Sequence, residues 1–390
     1  MFSQLLDPRV QEFIKDNTGS PLDKLALQKN PYPEIPWKEI LNQISSRGKA
    51  KDKLPTWFEA DNIIYPTTIS VEQTSSETAA AYKSELISGK SLIDLTGGFG
   101  IDDYYFSKKV GHVSHCELNP ELSAIAKHNF KVLGADTIEC LPGDSLDRLM
   151  GLDRQWDWIY IDPSRRSDIK GKVFLLKDCL PNVTDLLDTY FGYSNNILIK
   201  TAPLLDITAG MGELHSVKTI HIVAVNNEVK ELLWILEKDF TGTPMLYAVS
   251  LGRETHEVFE APYGNYDEAF YKLPQKYLYE PNSAIMKSGA FDSVSCHYNV
   301  GKLHRHTQLY TSDDLVAFPG RQFIIDEIIP YQKSAMKQLE GKKMNITTRN
   351  FPISVEELRK KWKIKDGGDV YTFFTTNLQD EKVVLVCSKA

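Results

Sequence analysis

The stretch Ser91-Leu-Ile-Asp-Leu-Thr-Gly-Gly-Phe-Gly-Ile-Asp102 decides the architecture. It opens as a short apolar run carrying an acid at Asp94, continues through three glycines, and enters a helical pattern near Ile101. A strand, a tight turn and a helix follow from that order. Gly98 and Gly100 let a ligand approach the backbone where a side chain would collide with it. Apolar runs of the same kind recur at 112–116, 137–140, 158–161, 196–200, 219–225 and 246–251, with helical patterns such as 120–133 and 173–190 between most of them. Strands alternating with helices imply β-α-β units and a mostly parallel sheet of seven strands. Such sheets bind ligands beyond the carboxyl ends of their strands.

Acids recur at those ends. Glu117 closes the second run, and a carboxylate there can take both hydroxyls of a ribose. Asp144, in Leu141-Pro-Gly-Asp-Ser145, is placed to accept from an adenine amino group. Asp162 ends the fourth run, in Trp158-Ile-Tyr-Ile-Asp-Pro-Ser-Arg-Arg166. Each acid taken singly could instead be a surface carboxylate or a helix N-cap, where Asp is favoured. Arg165 and Arg166 could clamp a phosphate or carboxylate with their rigid donor forks, stack on a base, or pair with neighbouring acids. Lys200 borders the same region as a substrate contact or as a strand-end charge. Asn226, Asn227 and Glu228 could touch substrate or cap a helix over 228–237.

These residues resemble the motifs of the class I S-adenosylmethionine (SAM)-dependent methyltransferases. The resemblance covers about residues 71–251. It implies that the turn from Asp94 through Thr96, Gly97, Gly98 and Gly100 holds the methionine part of SAM. It makes Glu117 the ribose acid, Asp144 the adenine acid, and Asp162-Pro163 the opening of the motif beside the sulfonium. Thr96 stands where the family usually has Gly, as in methyltransferases acting on nucleic-acid amino groups. Those enzymes continue Asp-Pro-Pro-aromatic, whereas this chain has Asp162, Pro163, Ser164, Arg165 and Arg166, without the aromatic that stacks on a flipped base. The expected roles are Asp162 orienting or deprotonating the attacking atom on the Pro163 turn, with Arg165 and Arg166 holding substrate.

The whole chain resembles a bacterial family of predicted methyltransferases with a C-terminal ferredoxin-like segment and a THUMP-like domain. Asp162-Pro-Ser-Arg-Arg166, Asn226-Asn-Glu-Val-Lys-Glu-Leu-Leu233, Tyr279-Glu-Pro-Asn-Ser-Ala-Ile-Met-Lys287, Leu309-Tyr-Thr-Ser-Asp313, Arg349-Asn-Phe-Pro352 and Gly367-Gly-Asp-Val-Tyr371 carry that likeness. The expected architecture is α/β: a Rossmann-like seven-stranded methyltransferase sheet, an N-terminal helical region and small C-terminal α+β modules. The expected boundaries are 1–70 (helical region, broken by Pro8, Pro21, Pro31, Pro33, Pro36 and Pro55), 71–253 (methyltransferase domain), 254–320 (linker and ferredoxin-like segment) and 321–390 (THUMP-like domain). Two capping boxes are expected, at Thr74 with Glu77 and at Ser354 with Glu357.

Composition narrows the partners. The 390 residues are 42% hydrophobic and 25% charged, an ordinary globular balance. No apolar run reaches the roughly 20 residues a membrane-spanning helix needs, and no secretory signal is seen, so a cytoplasmic protein is expected. Five scattered cysteines without a C-x-x-C pair support neither disulfides nor a metal site. No cysteine falls in 162–166 or 201–203, which disfavours the thiolate chemistry of carbon-5 pyrimidine methylation. Cys179 reads as a core residue within a helix.

The net charge is −7, yet residues 271–390 hold 18 Lys and Arg against 13 Asp and Glu, while the other 270 hold 27 against 39. A basic tail on an acidic body suits an RNA partner for the C-terminal region. The runs Lys302-Leu-His-Arg-His306 and Arg359-Lys-Lys-Trp-Lys-Ile-Lys365 are the candidate contacts, although the second also reads as an amphipathic helix with Leu358 and Trp362 inward. The expectation is a SAM-dependent methyltransferase acting on RNA. A small-molecule or protein methyltransferase and a non-catalytic SAM-binding protein stay open.

Overall fold

A computed structural model describes residues 2–165, 175–252, 256–264 and 267–390. The strands of the larger sheet are β1 (Gly89–Asp94), β2 (Val110–Glu117), β3 (Ile138–Pro142), β4 (Trp158–Ile161), β5 (Asn196–Thr201), β6 (Val217–Val225), β7 (Glu228–Glu237), β8 (Met245–Leu251) and β9 (His256–Pro262). Their order is β9-β8-β6-β7-β5-β4-β1-β2-β3. All seven apolar runs of the sequence are strands. The count reaches nine because of β7, which sequence reasoning took for a helix, and β9, which it did not foresee. Asn226 and Asn227 explain β7. Both adopt left-handed φ, 51° and 61°, and a two-residue turn of that kind joins antiparallel strands.

The chain divides into two compact units, Met1–Lys218 with Leu233–Thr241, and Thr219–Leu232 with Gly242–Ala390. In the first, β5-β4-β1-β2-β3 are all parallel, so their carboxyl ends face one way. The N-terminal region is helical as expected, with its longest helix at Trp37–Lys53. Its Ile40, Ile44, Trp57 and Tyr65 share one buried core with Phe99 and Ile101 from the glycine turn and Ile125 from helix Pro120–Val132. Each such side chain stabilises the fold by roughly 1.5–3 kcal/mol. The helix expected after a Thr74 cap begins at Glu77, with Ser76 as its cap rather than Thr74. The Glu77 carboxylate is turned away from its own helix. It accepts from Thr56 N–H, Thr56 Oγ and Tyr105 Oη, each at 2.7–2.8 Å. Cys179 is buried as expected, but it lies in a short ribbon, pairing with Arg165, not in a helix.

In the second unit β8 pairs in parallel with β6 and antiparallel with β9. A separate seven-stranded sheet is built from β10 (Tyr277–Pro281), β11 (Gly301–His304), β12 (Thr307–Ser312), β13 (Gly320–Pro330), β14 (Asn345–Arg349), β15 (Tyr371–Thr376) and β16 (Lys382–Lys389), in the order β11-β12-β10-β13-β16-β15-β14. Alternate residues divide between its faces. Phe373, Val383 and Leu385 join one apolar cluster, while Phe374 and Val384 join the other. Helix Val355–Trp362 begins with the expected Ser354–Glu357 capping box and sends Leu358 and Trp362 into the second cluster.

Candidate functional site

Asp94, at the end of β1, is only 2% exposed. Its Oδ1 accepts both the Thr96 N–H (2.7 Å) and the Thr96 hydroxyl (3.0 Å), which starts the glycine turn. Burial first, and then the charge of Asp103, raise its carboxyl well above the usual range. The turn is fixed from within. Gly97 N–H donates to the Cys116 carbonyl at the end of β2 (2.8 Å). A Cβ on Gly97 would sit 2.3 Å from the His115 ring, and one on Gly100 would sit 2.3 Å from Phe130. His115 is itself locked, its Nδ1 hydrogen-bonded to Asp103 Oδ2 at 2.6 Å with both side chains fully buried. Burial lowers its pKa.

Gly98 differs from its neighbours. Its φ is +57°, and among the described residues beyond its chain neighbours only the Thr96 carbonyl oxygen, 3.7 Å away, lies near its absent Cβ. Its N–H donates to Glu117 Oε2 at 2.9 Å, while Glu117 Oε1 accepts from Asn119 N–H at 2.7 Å. Glu117 therefore reaches from β2 to the turn, and a carboxylate oxygen bearing one N–H keeps a further lone pair for a hydroxyl. Leu118, next in sequence, is 72% exposed. The turn is thus backed on one side and open at Gly98, and these residues fit the amino-acid and ribose parts of SAM.

Asp162 stands just past β4. Its N–H donates to Thr96 Oγ1 (2.7 Å), and its Oδ2 accepts from Lys200 Nζ (2.5 Å). Against the raising effect of burial, the charges of Lys83 and then Lys200 hold the Asp102 carboxyl below its usual range; Asp102 is bridged to the fully buried Lys83 at 3.2 Å and accepts from Tyr160 Oη at 2.7 Å. Pro163 is buried and Ser164 exposed. Arg165 pairs with Cys179 through its backbone, and Arg166 lies outside the described residues.

The strand-end acids of the sequence are therefore of three kinds. Asp94 and Asp162 are joined through Thr96. Glu117 reaches across to Gly98. Asp144 is exposed and caps helix Ser145–Leu152, accepting from Leu146 N–H and Asp147 N–H at 2.9 and 3.1 Å. Sequence reasoning missed Lys83, Asp103 and His115. They lie in ordinary helix and strand contexts and carry no local signal. It also left Lys200 unpaired, although a Lys ending the strand beside β4 could have been matched to Asp162.

The two basic runs fare differently. Lys302 is buried, donating to Asp292 Oδ1 (2.7 Å) and the Arg305 carbonyl (3.1 Å), and His304 Nε2 is hydrogen-bonded to Asp380 Oδ1 at 3.0 Å. Only Arg305 and His306 of that run are exposed. In the second run Trp362 is inward and Lys360, Lys361, Lys363 and Lys365 are exposed. A parallel bridge of Lys343 with Lys365 and a bond from Lys365 N–H to the Lys342 carbonyl (2.9 Å) bring exposed Lys342 and Lys343 to the same edge.

Two family models match the chain, a ferredoxin-like domain at residues 277–319 and a THUMP domain-like model at residues 320–389. No curated protein matches. Among solved structures, a candidate methyltransferase from Porphyromonas gingivalis W83 is 31% identical across 100% of this chain and 99% of that one, with a TM-score of 0.87. An rRNA methylase from Streptococcus thermophilus is 13% identical over 42% of this chain and 94% of that one, with a TM-score of 0.29. An O-methyltransferase from Bacillus cereus is 11% identical over 59% and 97%, with a TM-score of 0.33. Likeness at those last two levels carries no functional information. The correspondence with the first runs the length of both chains, and the chain belongs to the family of that Porphyromonas protein, methyltransferase-fold chains that carry a ferredoxin-like segment and a THUMP-like domain.

Proposed function

We propose that the chain is a SAM-dependent methyltransferase acting on RNA. The observation that carries this reading is the Thr96 hydroxyl, which joins the glycine turn to Asp162 within hydrogen-bond distance. When bound, SAM would supply a methyl group on a sulfonium. Thr96, Gly97, Gly98 and Gly100 would hold its amino-acid part over the Asp94 floor. Glu117 would take the ribose hydroxyls, and exposed Leu118 offers the base an apolar face. Asp144 has an oxygen beyond its capping bonds for an adenine amino group. Asp162, steadied by Lys200, would accept a hydrogen from the attacking group and hold it in line, so the protein's part is mainly placement. Arg165 and Arg166 would hold the substrate.

The RNA assignment rests on exposed lysines of the THUMP-like domain, Lys342, Lys343 and Lys365 at one edge and Lys360 and Lys363 at the end of helix Val355–Trp362. Lys363 is shared with Glu340 at 3.1 Å. Phosphate contacts of this kind make binding salt-dependent, with a slope of about 0.7 per single-strand phosphate neutralised. The domain boundaries we adopt are 1–70, 71–253, 254–320 and 321–390.

The test is transfer of labelled methyl from SAM into the RNA, protein and small-molecule fractions of cells lacking the gene. Label in RNA, lost on Asp162→Ala, is expected. Label in another fraction favours a small-molecule or protein substrate, to which the acidic first 270 residues are suited. Wild-type SAM affinity in Glu117→Ala would remove the cofactor assignment.

A further inference from the structure

The backbone pairing of β1 with β4 stops at the bond from Leu95 N–H to the Tyr160 carbonyl (3.0 Å). Beyond it the two chains part, β1 into the glycine turn and β4 into Asp162. The next link between them is a side chain. Thr96 Oγ1 donates to Asp94 Oδ1 at 3.0 Å and accepts the Asp162 N–H at 2.7 Å. Asp94 Oδ1 also takes the Thr96 N–H at 2.7 Å, so it acts as an acceptor and the hydroxyl proton must point to it. The hydroxyl oxygen then faces Asp162 with its lone pairs. One hydroxyl thus uses its donor on the turn side and an acceptor on the loop side. Gly, Ala or Val at this position can do neither. The Asp162 side chain is fixed at its other end by Lys200 at 2.5 Å, so backbone and carboxylate are both tethered.

We infer that Thr96 is a positioning residue that couples the cofactor turn to the Asp162 loop, so that a ligand held on the turn is felt at the Asp162 backbone. This rests on the reading of the turn as the SAM site, and it adds a link between the two halves of that site. The backbone of Thr96 belongs to the turn, while its hydroxyl is taken up by Asp94 and the Asp162 N–H. It acts through Asp162.

The experiment follows backbone amides by NMR in the full chain, for wild type, Thr96→Val and Thr96→Ser. Loss of one part-buried hydrogen bond should speed exchange of the Asp162 amide roughly tenfold in Thr96→Val, with Thr96→Ser within about threefold of wild type. On titration with S-adenosylhomocysteine, the Gly98 and Asp162 amides should both shift in wild type, and only Gly98 should shift in Thr96→Val. A merely structural role would move both amides together and lower the melting temperature without separating them. Thr96→Ala, which adds no bulk, replaces Thr96→Val if the latter does not fold. Unchanged Asp162 exchange in the hydroxyl-free variant, or an Asp162 shift that survives in it, overturns the inference. No response to S-adenosylhomocysteine at any amide sinks the cofactor reading instead, and the exchange comparison still decides whether the hydroxyl holds Asp162.

Discussion

Asp94 and Asp144 look alike in the sequence, each an acid just past an apolar run and near a glycine. In the molecule they are opposites. Asp94 is buried, bonded to Thr96, and held well above the usual carboxylate range by burial and by the charge of Asp103. Asp144 is exposed and caps a helix through Leu146 N–H and Asp147 N–H. A strand-end acid is thus one signal with two physical uses. At β1 it is the floor that shapes a turn, and at β3 it is a surface group that a ligand could reach. Depth, which decides between them, comes from what packs behind. His115, Asp103 and Phe130 fill that space at the turn.

The sharpest way to break the contrast is Gly97→Ala. The added Cβ would meet the His115 ring at 2.3 Å, and overpacking of this kind costs about 1–3 kcal/mol. The turn should distort, and S-adenosylhomocysteine affinity measured by calorimetry should fall on the order of 100-fold. Next, Asp103→Ala strips His115 of its partner. An orphaned buried group costs about 1–3 kcal/mol, read as a lower melting temperature. Asp103→Asn keeps a partner and tests charge instead. Burial holds the protons of Asp94 and Asp103 above the ordinary carboxylate range. Above the unfolded value of about 4, the folded chain then binds more protons than the unfolded one, and this contribution to stability declines as pH rises. Asp103→Asn should therefore narrow the gap between melting temperatures at about pH 5 and about pH 8; His115 contributes the opposite trend, its lowered pKa adding stability as pH rises toward its ordinary value. The smallest effect belongs to Asp144. Asp144→Ala should cost about 1 kcal/mol as a lost cap, and Asp144→Asn only a few tenths. Asparagine weakening S-adenosylhomocysteine binding while sparing stability would separate adenine contact from capping.

The fold was legible where one local rule decides. Apolar runs at regular spacing became strands, and the Gly97–Gly100 turn sits where the first run ends. It failed at Glu228–Glu237, where Val229, Leu232, Leu233 and Leu236 satisfy a helical period as readily as a buried strand does. The Asn226-Asn227 turn was the signal that should have settled it, since paired asparagines adopt left-handed φ readily. The site was legible in its strand-end acids and glycines. Its supporting residues were not, because Lys83, Asp103 and His115 acquire meaning only when sequence positions far apart come within bonding distance. Thr96 lies between these cases. Its oddness was visible in the sequence, while its two hydrogen bonds needed β4 in place.

Phe99 carries one more consequence. It belongs to the glycine turn, yet its ring packs inward, 6.4 Å from Trp57 and 6.2 Å from Tyr65 in the N-terminal helical region. The first 70 residues are thus not a detachable leader to a ready-made catalytic module. Swapping the central domain between relatives should work only when the helical region travels with it, because a foreign partner would leave the turn's own aromatic without its lock.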